Sequence, residues 1–134
     1  MALTKGVRQI LDEAYATVVT LPAAEALTLH QDPEVLFVDV RDVRELQREG
    51  VIPTAFHAPR GILEFWVDPE SPYYRSVFTP GRRLVLYCAS GWRSVLACKT
   101  LMEMGVTEGC HIQDGLPAWK DAGGPITAYT PAAG

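Results

Sequence analysis

The chain has 134 residues, 48% of them hydrophobic, and its 16 acidic against 12 basic side chains give a net charge of −4. That length suits one domain with its own core, and the acidic balance excludes a broad cationic face for nucleic acid. No apolar run approaches the roughly 20 residues needed to span a bilayer, and three cysteines with no CxxC pair exclude a disulfide scaffold and a zinc site.

From the amino end, Leu3, Val7, Ile10, Leu11, Ala14, Tyr15 and Val18 recur at three- and four-residue intervals and predict an amphipathic helix. The charges mixed into Met1–Tyr15 do not suit a signal peptide, so a reducing, cytoplasmic location is expected. A second helix opens at Pro22, where a missing amide costs nothing, and runs through Leu29. Val35 to Val40 is a continuous apolar run, the pattern of a strand covered on both faces. Asp42 and Glu45 have capping-box spacing and open a short helix that stops at Gly50. Ala55 to His57 reads as a short strand and Ile62 to Val67 as a helical turn or two. Leu84 to Tyr87 is the clearest buried strand, and a helix carrying Val95, Leu96, Cys98, Leu101 and Met102 follows. Cys110 to Ile112 is a last strand and Leu116 to Asp121 a last helix, before an Ala/Gly/Pro/Thr tail expected to fray. Short apolar strands alternating with helices imply an α/β fold, a parallel sheet wrapped by helices.

The chemistry concentrates at the end of the best strand. Open parallel sheets bind ligands beyond the carboxyl ends of their strands, and Cys88 stands at such an end. Gly91 permits a sharp or left-handed step, so the loop Cys88-Ala89-Ser90-Gly91-Trp92-Arg93 can curl several amides around the sulfur. The next helix adds its positive end, and Arg93 a fixed cation. Each favours thiolate over thiol without a histidine base. Ser90 and Ser94 are further candidate donors. Such a cysteine can hold sulfane sulfur as a persulfide or attack phosphorus or arsenic in an oxyanion.

Over about Thr20 to Ile126 the sequence resembles a single-domain rhodanese of the thiosulfate sulfurtransferase family. The likeness lies in Val38-Asp39-Val40-Arg41 with Glu45, in Gly50-Val-Ile-Pro53 with Ala55, in the Cys88–Arg93 loop, and in Gly115-Leu-Pro-Ala-Trp119. It implies a three-layer domain, a central, mostly parallel sheet with helices on both faces. Residues 1–19 are then a helical extension, 20–126 the domain and 127–134 a flexible tail. In that family a six-residue loop goes with sulfur transfer, whereas related phosphatases and arsenate reductases use a C-x5-R loop. This chain has C-x4-R. Where the family commonly has Gly-His-Ile-Pro-Gly-Ala, this chain has Gly50-Val-Ile-Pro-Thr-Ala55, a change in scaffold residues. The resemblance implies Cys88 as nucleophile and Arg93 as anion guide. Ala89, Ser90, Gly91, Trp92 and Ser94 then form the substrate cradle.

Ordinary structural roles are assigned to much of the rest. Cys98 and Cys110 read as core residues, Asp39 and Arg41 as a supporting pair that fixes loops, and Asp42 as a helix cap. Trp66, Tyr73 and Tyr74 are expected in the core and Trp92 exposed at the site mouth, with Arg60 and Arg75 able to add positive potential there. His30, His57 and His111 lack metal-ligand spacing and receive no site, and the first helix is expected to pack on the domain. No metal or cofactor is expected. The partners expected are a small-molecule or protein sulfur donor and acceptor, with no nucleic acid and no membrane. The competing readings are a cysteine-based phosphatase or arsenate reductase on the same scaffold, and a non-catalytic binding module.

Overall fold

Strand alternation decides which side chains meet which helices. In the computed structural model, which describes residues 1–131, β2 (Val35–Asp39) and β4 (Arg83–Tyr87) lie side by side in parallel, with Leu36 opposite Leu84 and Val38 opposite Leu86. Leu36, Val38, Leu84 and Leu86 face one side, where Leu63 of α4 (Leu63–Val67) and Ala97 and Leu101 of α5 (Trp92–Glu103) cover them. Phe37, Val85 and Tyr87 face the other, against Ala23 and Ala26 of α2 (Ala23–Leu29) and Leu116 and Trp119 of α6 (Gly115–Asp121). Both faces of these strands are therefore dry, which is why they read as unbroken apolar runs. Each such side chain contributes roughly 1.5–3 kcal/mol on full burial.

The five-stranded sheet has the order β1-β5-β4-β2-β3, with every strand pair parallel. The outer strands are β3 (Phe56–His57) and β1 (Val19–Leu21), and β5 (Gly109–Ile112) lies between β1 and β4. Helices on both faces make the three-layer α/β domain expected from the sequence. The capping box also forms. The Asp42 carboxylate accepts from the Arg44 amide at 2.8 Å, and Glu45 accepts from the Asp42 amide at 3.2 Å. It opens α3 (Val43–Glu49), which ends at Gly50 with φ of 81°.

Three differences from the sequence reading concern the two ends. The first helix, α1, spans Val7–Thr17 and packs on α5, burying Leu11 and Ala14 with Val18 against Val95 and Cys98. Leu3 and Val7 of the anticipated stripe stay exposed. Second, Val19–Leu21 is a strand the periodicity does not reveal, since three residues are too short to show alternation. It crosses the 19/20 boundary drawn from the resemblance, so extension and domain share one sheet. Third, the tail is docked as far as it is described. Thr127 exchanges two main-chain hydrogen bonds with Val51, at 2.8 and 2.9 Å, and Tyr129 meets the His57 ring edge-on at 6.1 Å. The rest of the anticipated flexible tail, 132–134, lies outside the described residues.

Candidate active site

Cys88 follows β4 directly, at the carboxyl end of the sheet. The chain must then leave the sheet and start α5 within a few residues, and Gly91 makes this feasible with φ of 97° as the residue capping that helix. A side chain there would be strained, and its Cβ would lie 3.3 Å from the Tyr15 hydroxyl. The turn aims the Gly91 N–H at the Cys88 Sγ, 3.1 Å away. The Ser94 Oγ, one turn into α5, lies 3.6 Å from the same sulfur.

A second turn clamps this loop from behind. Asp114 and Gly115, between β5 and α6, both have left-handed backbones. The Leu116 N–H donates to the Cys88 carbonyl at 2.9 Å. A Cβ on Gly115 would run into that carbonyl and stand 2.7 Å from the backbone of Ala89. Gly115, read above only as part of a resemblance, is therefore the reason the two turns can approach so closely.

The sulfur differs from the expected thiol at the mouth of a ring of amides. Cys88 is 0% exposed and borders the core layer under α5, so a donor reaches it only when neighbouring groups yield. Among the described residues one main-chain N–H, that of Gly91, and one hydroxyl, that of Ser94, meet it. Ser90 is exposed, Ala89 is half-buried beside it, and neither brings a hydrogen-bonding group to the sulfur. Trp92 is 57% exposed at the start of α5, as expected for a rim residue.

Arg93 is not a free anion clamp. Its Nη1 and Nη2 donate to the two carboxylate oxygens of Glu45 at 2.7 and 2.9 Å. This pair holds the Glu45 carboxyl below its ordinary range and raises the Arg93 guanidinium further. Because Glu45 also caps α3, one carboxylate ties the start of α3 to the start of α5. Charge from Cys88 contributes to the rise at Arg93, so the cation remains within electrostatic reach of the sulfur. Arg60 and Arg75 are likewise engaged. Arg60 binds Glu64 and Thr100, and Arg75 stacks on Trp66 and Phe56 at 4.7 and 5.2 Å.

Asp39 and Arg41 form a buried scaffold at the end of β2. The guanidinium donates to both Asp39 oxygens, at 2.7 Å from Nη2 and 3.0 Å from Nε, and to the Gly50 carbonyl at 2.8 Å. It thereby pins the loop after α3. Burial pushes the Cys98 thiol up to about 12, with a smaller push from Cys110, and also raises Cys110, so neither is a competing nucleophile. Trp66 and Tyr74 pack against the core and Tyr73 is exposed. The His30 and His57 rings bond the carbonyls of Pro53 and Arg41.

Sequence reasoning passed over His111, Thr20 and Tyr15. His111 is fully buried, with Nδ1 3.0 Å from the Ser94 Oγ and Nε2 2.8 Å from the Thr20 Oγ1. Burial alone lowers its pKa to about 4, so it is neutral near pH 7. Tyr15 of α1 covers the imidazole, with ring centroids 5.7 Å apart. One signal was available for His111. It lies between Cys110 and Ile112, which face α6, so alternation turns it toward the helix that follows Cys88.

This architecture is an α/β domain with a cysteine-headed loop between its best strand and the helix that follows. The family model of the rhodanese-like domain matches residues 22–122, and the chain belongs to that family, which at this level assigns it to the sulfurtransferases. It is 35% identical over 95 residues to a protein of Allochromatium vinosum named sulfurtransferase, covering 71% of this chain and 80% of that one. Among solved structures, a Rhodopseudomonas palustris protein described as of unknown function and a possible tyrosine phosphatase is 46% identical. Its TM-score is 0.90, with 95% of this chain and 98% of that one covered. The polysulfide-sulfur transferase homodimer of Wolinella succinogenes is 29% identical with a TM-score of 0.67, covering 90% and 85%.

Proposed function

We propose that the protein moves sulfane sulfur from thiosulfate or a similar donor to a thiophilic acceptor through a persulfide on Cys88. It does so in a reducing, cytoplasmic setting and without a cofactor or metal. The Cys88 thiolate attacks the outer sulfur of thiosulfate, and the S–S bond breaks with its electron pair leaving on sulfite. The persulfide keeps one negative charge. An acceptor such as cyanide or a thiolate then takes the outer sulfur as thiocyanate or a new persulfide and returns the thiolate. The Gly91 amide and the Ser94 hydroxyl stabilise the Cys88 thiolate before attack and after sulfur is handed on, and Arg93 guides the anionic donor.

The observation that carries this reading is the tightness of the loop. Four residues separate Cys88 from Arg93, the Gly91 N–H already touches the sulfur, and the Gly115 turn blocks expansion from behind. That supports a single added sulfur atom over a tetrahedral dianion. A phosphatase reading has the description of the Rhodopseudomonas palustris protein in its favour. It needs the Arg93 guanidinium for phosphate oxygens, and here both of its Nη groups donate to Glu45.

Intact mass spectrometry after mixing with thiosulfate tests the choice. A gain of one sulfur mapped to Cys88 and absent from Cys88→Ser is the expected result. No gain, together with aryl phosphate hydrolysis lost in Cys88→Ser, would replace sulfur transfer by the phosphatase.

A further inference from the structure

Thr20 lies in β1, ahead of the part of the chain that the family model matches, and is in register with His111 of β5. From it a line of hydrogen-bonding groups runs to the nucleophile: Thr20 Oγ1 to His111 Nε2 at 2.8 Å, His111 Nδ1 to Ser94 Oγ at 3.0 Å, and Ser94 Oγ to Cys88 Sγ at 3.6 Å. We propose that Thr20 and His111 are positioning residues that set the direction of the Ser94 hydroxyl proton and so the stability of the negative charge on Cys88.

The neutral imidazole has one N–H and one lone pair, and burial keeps it neutral, its pKa lowered to about 4. If Thr20 donates its hydroxyl proton to Nε2, the imidazole proton must be on Nδ1, where it donates to the Ser94 Oγ. Ser94 then cannot spend its own proton on the imidazole. It has two destinations left, the Gly91 carbonyl 3.1 Å away and the sulfur. With a thiol, the S–H donates to Oγ and the Ser94 proton goes to the carbonyl. With a thiolate, the hydroxyl turns to the sulfur. In the opposite tautomer, Nε2–H faces Thr20, Nδ1 takes the Ser94 proton, and the sulfur loses its hydroxyl donor. With Thr20 as the donor, the Nδ1–H tautomer is the one that leaves the Ser94 proton to the sulfur, and the Tyr15 ring packs against the same imidazole. Thus the amino-terminal segment reaches the site through His111 and Ser94.

The proposal rests on Cys88 being the nucleophile, and its test needs no sulfur donor. The rate of Cys88 alkylation by iodoacetamide at neutral pH, followed by peptide mass mapping, is compared across variants. Thr20→Val should react about three- to tenfold more slowly and Thr20→Ser at the wild-type rate, since a charge-bearing hydrogen bond is worth more than a neutral one. His111→Asn, which keeps an N–H near the place of Nδ1, should retain more reactivity than His111→Leu, and this pair decides the matter should Thr20→Val fold poorly. In the Ser94→Ala background Thr20→Val should have no further effect. Wild-type rates in Thr20→Val and His111→Leu, or an undiminished Thr20→Val effect without Ser94, would overturn the proposal. Thiosulfate labelling separates the two ideas. Labelled Cys88 with alkylation indifferent to Thr20 sinks this proposal alone, whereas the expected alkylation pattern with no sulfur uptake sinks sulfur transfer alone.

Discussion

Two polar clusters are buried at the carboxyl edge of this sheet, and they solve the same desolvation problem in opposite ways. At the end of β2, Asp39 and Arg41 form a buried ion pair, and the guanidinium also donates to the Gly50 carbonyl and to Glu49. At the ends of β4, β5 and β1, the Cys88, Ser94, His111 and Thr20 cluster carries no fixed charge when the sulfur is a thiol, and its protons can be redistributed. The charged cluster is rigid because breaking any one contact strands an ion in a dry interior. The neutral one has protons that can shift to meet a negative charge, as the proposed chemistry at Cys88 requires. The difference separates scaffold from chemistry more sharply than distance from the cysteine does.

The largest expected effect falls on the charged cluster. Asp39→Ala leaves the Arg41 guanidinium buried without its principal counter-ion, and urea unfolding should register a loss of about 3–5 kcal/mol. Thr20→Val removes one neutral hydrogen bond and leaves the buried His111 Nε2 without its partner, which should cost about 1–3 kcal/mol by the same measurement. Equal losses would abolish the distinction.

The next effect appears on the acid side. His111 has an ordinary pKa of 6.5 and a native one of about 4. As pH falls through this window the unfolded chain takes up a proton that the native one refuses. Stability complete above pH 6.5 is therefore lost down to about pH 4, by about 3 kcal/mol. His111→Asn cannot titrate, and its stability-versus-pH curve should lack this component. An unchanged acid limb would mean that water reaches the imidazole and that the cluster is not dry.

A smaller effect is expected at the turn itself. Gly91→Ala places a side chain at φ of 97°, which costs roughly 1–2 kcal/mol. Its Cβ also presses on the Tyr15 hydroxyl. The domain should stay folded at room temperature while the yield of labelled Cys88 falls further than the stability loss alone explains. A yield that merely tracked stability would remove the Gly91 amide from the account.

How much of this could be read from the sequence follows from the range of the interactions. The buried strands, the Asp42–Glu45 capping box and the glycine-containing turn after Cys88 are local patterns, and each forms where its residues are. A parallel sheet wrapped by helices was legible for the same reason, and the rhodanese-like layering through the resemblance. Gly91 and Ser94, which meet the sulfur, were legible too, but the groups behind Ser94 were not. Thr20 and His111 are 91 positions apart and meet only because β1 joins the sheet beside β5, a pairing that three residues do not announce. Likewise nothing local says that Arg93 will find Glu45, since that contact depends on where α3 starts relative to α5. A histidine flanked by apolar residues in a short strand also looks the same whether it faces a nucleophile or a phenylalanine.

Arg93 and Glu45 lie between the two clusters in kind, being charged yet partly exposed, with 41% and 18% of their side-chain surfaces accessible. Such a pair is worth little in stability, at most about 1 kcal/mol, so Glu45→Gln should barely move the unfolding midpoint. Glutamine also serves at the third position of a capping box, and α3 keeps its start. What changes is the field at the mouth. Without the carboxylate, Arg93 presents an uncompensated cation, and the KM for thiosulfate should fall by about threefold at low salt with kcat unchanged. Added salt should erase the gain, because the cation is accessible to counter-ions. A rise in KM would mean instead that the carboxylate holds the guanidinium where the donor needs it. The pair would then belong with Asp39 and Arg41, as part of the rigid frame.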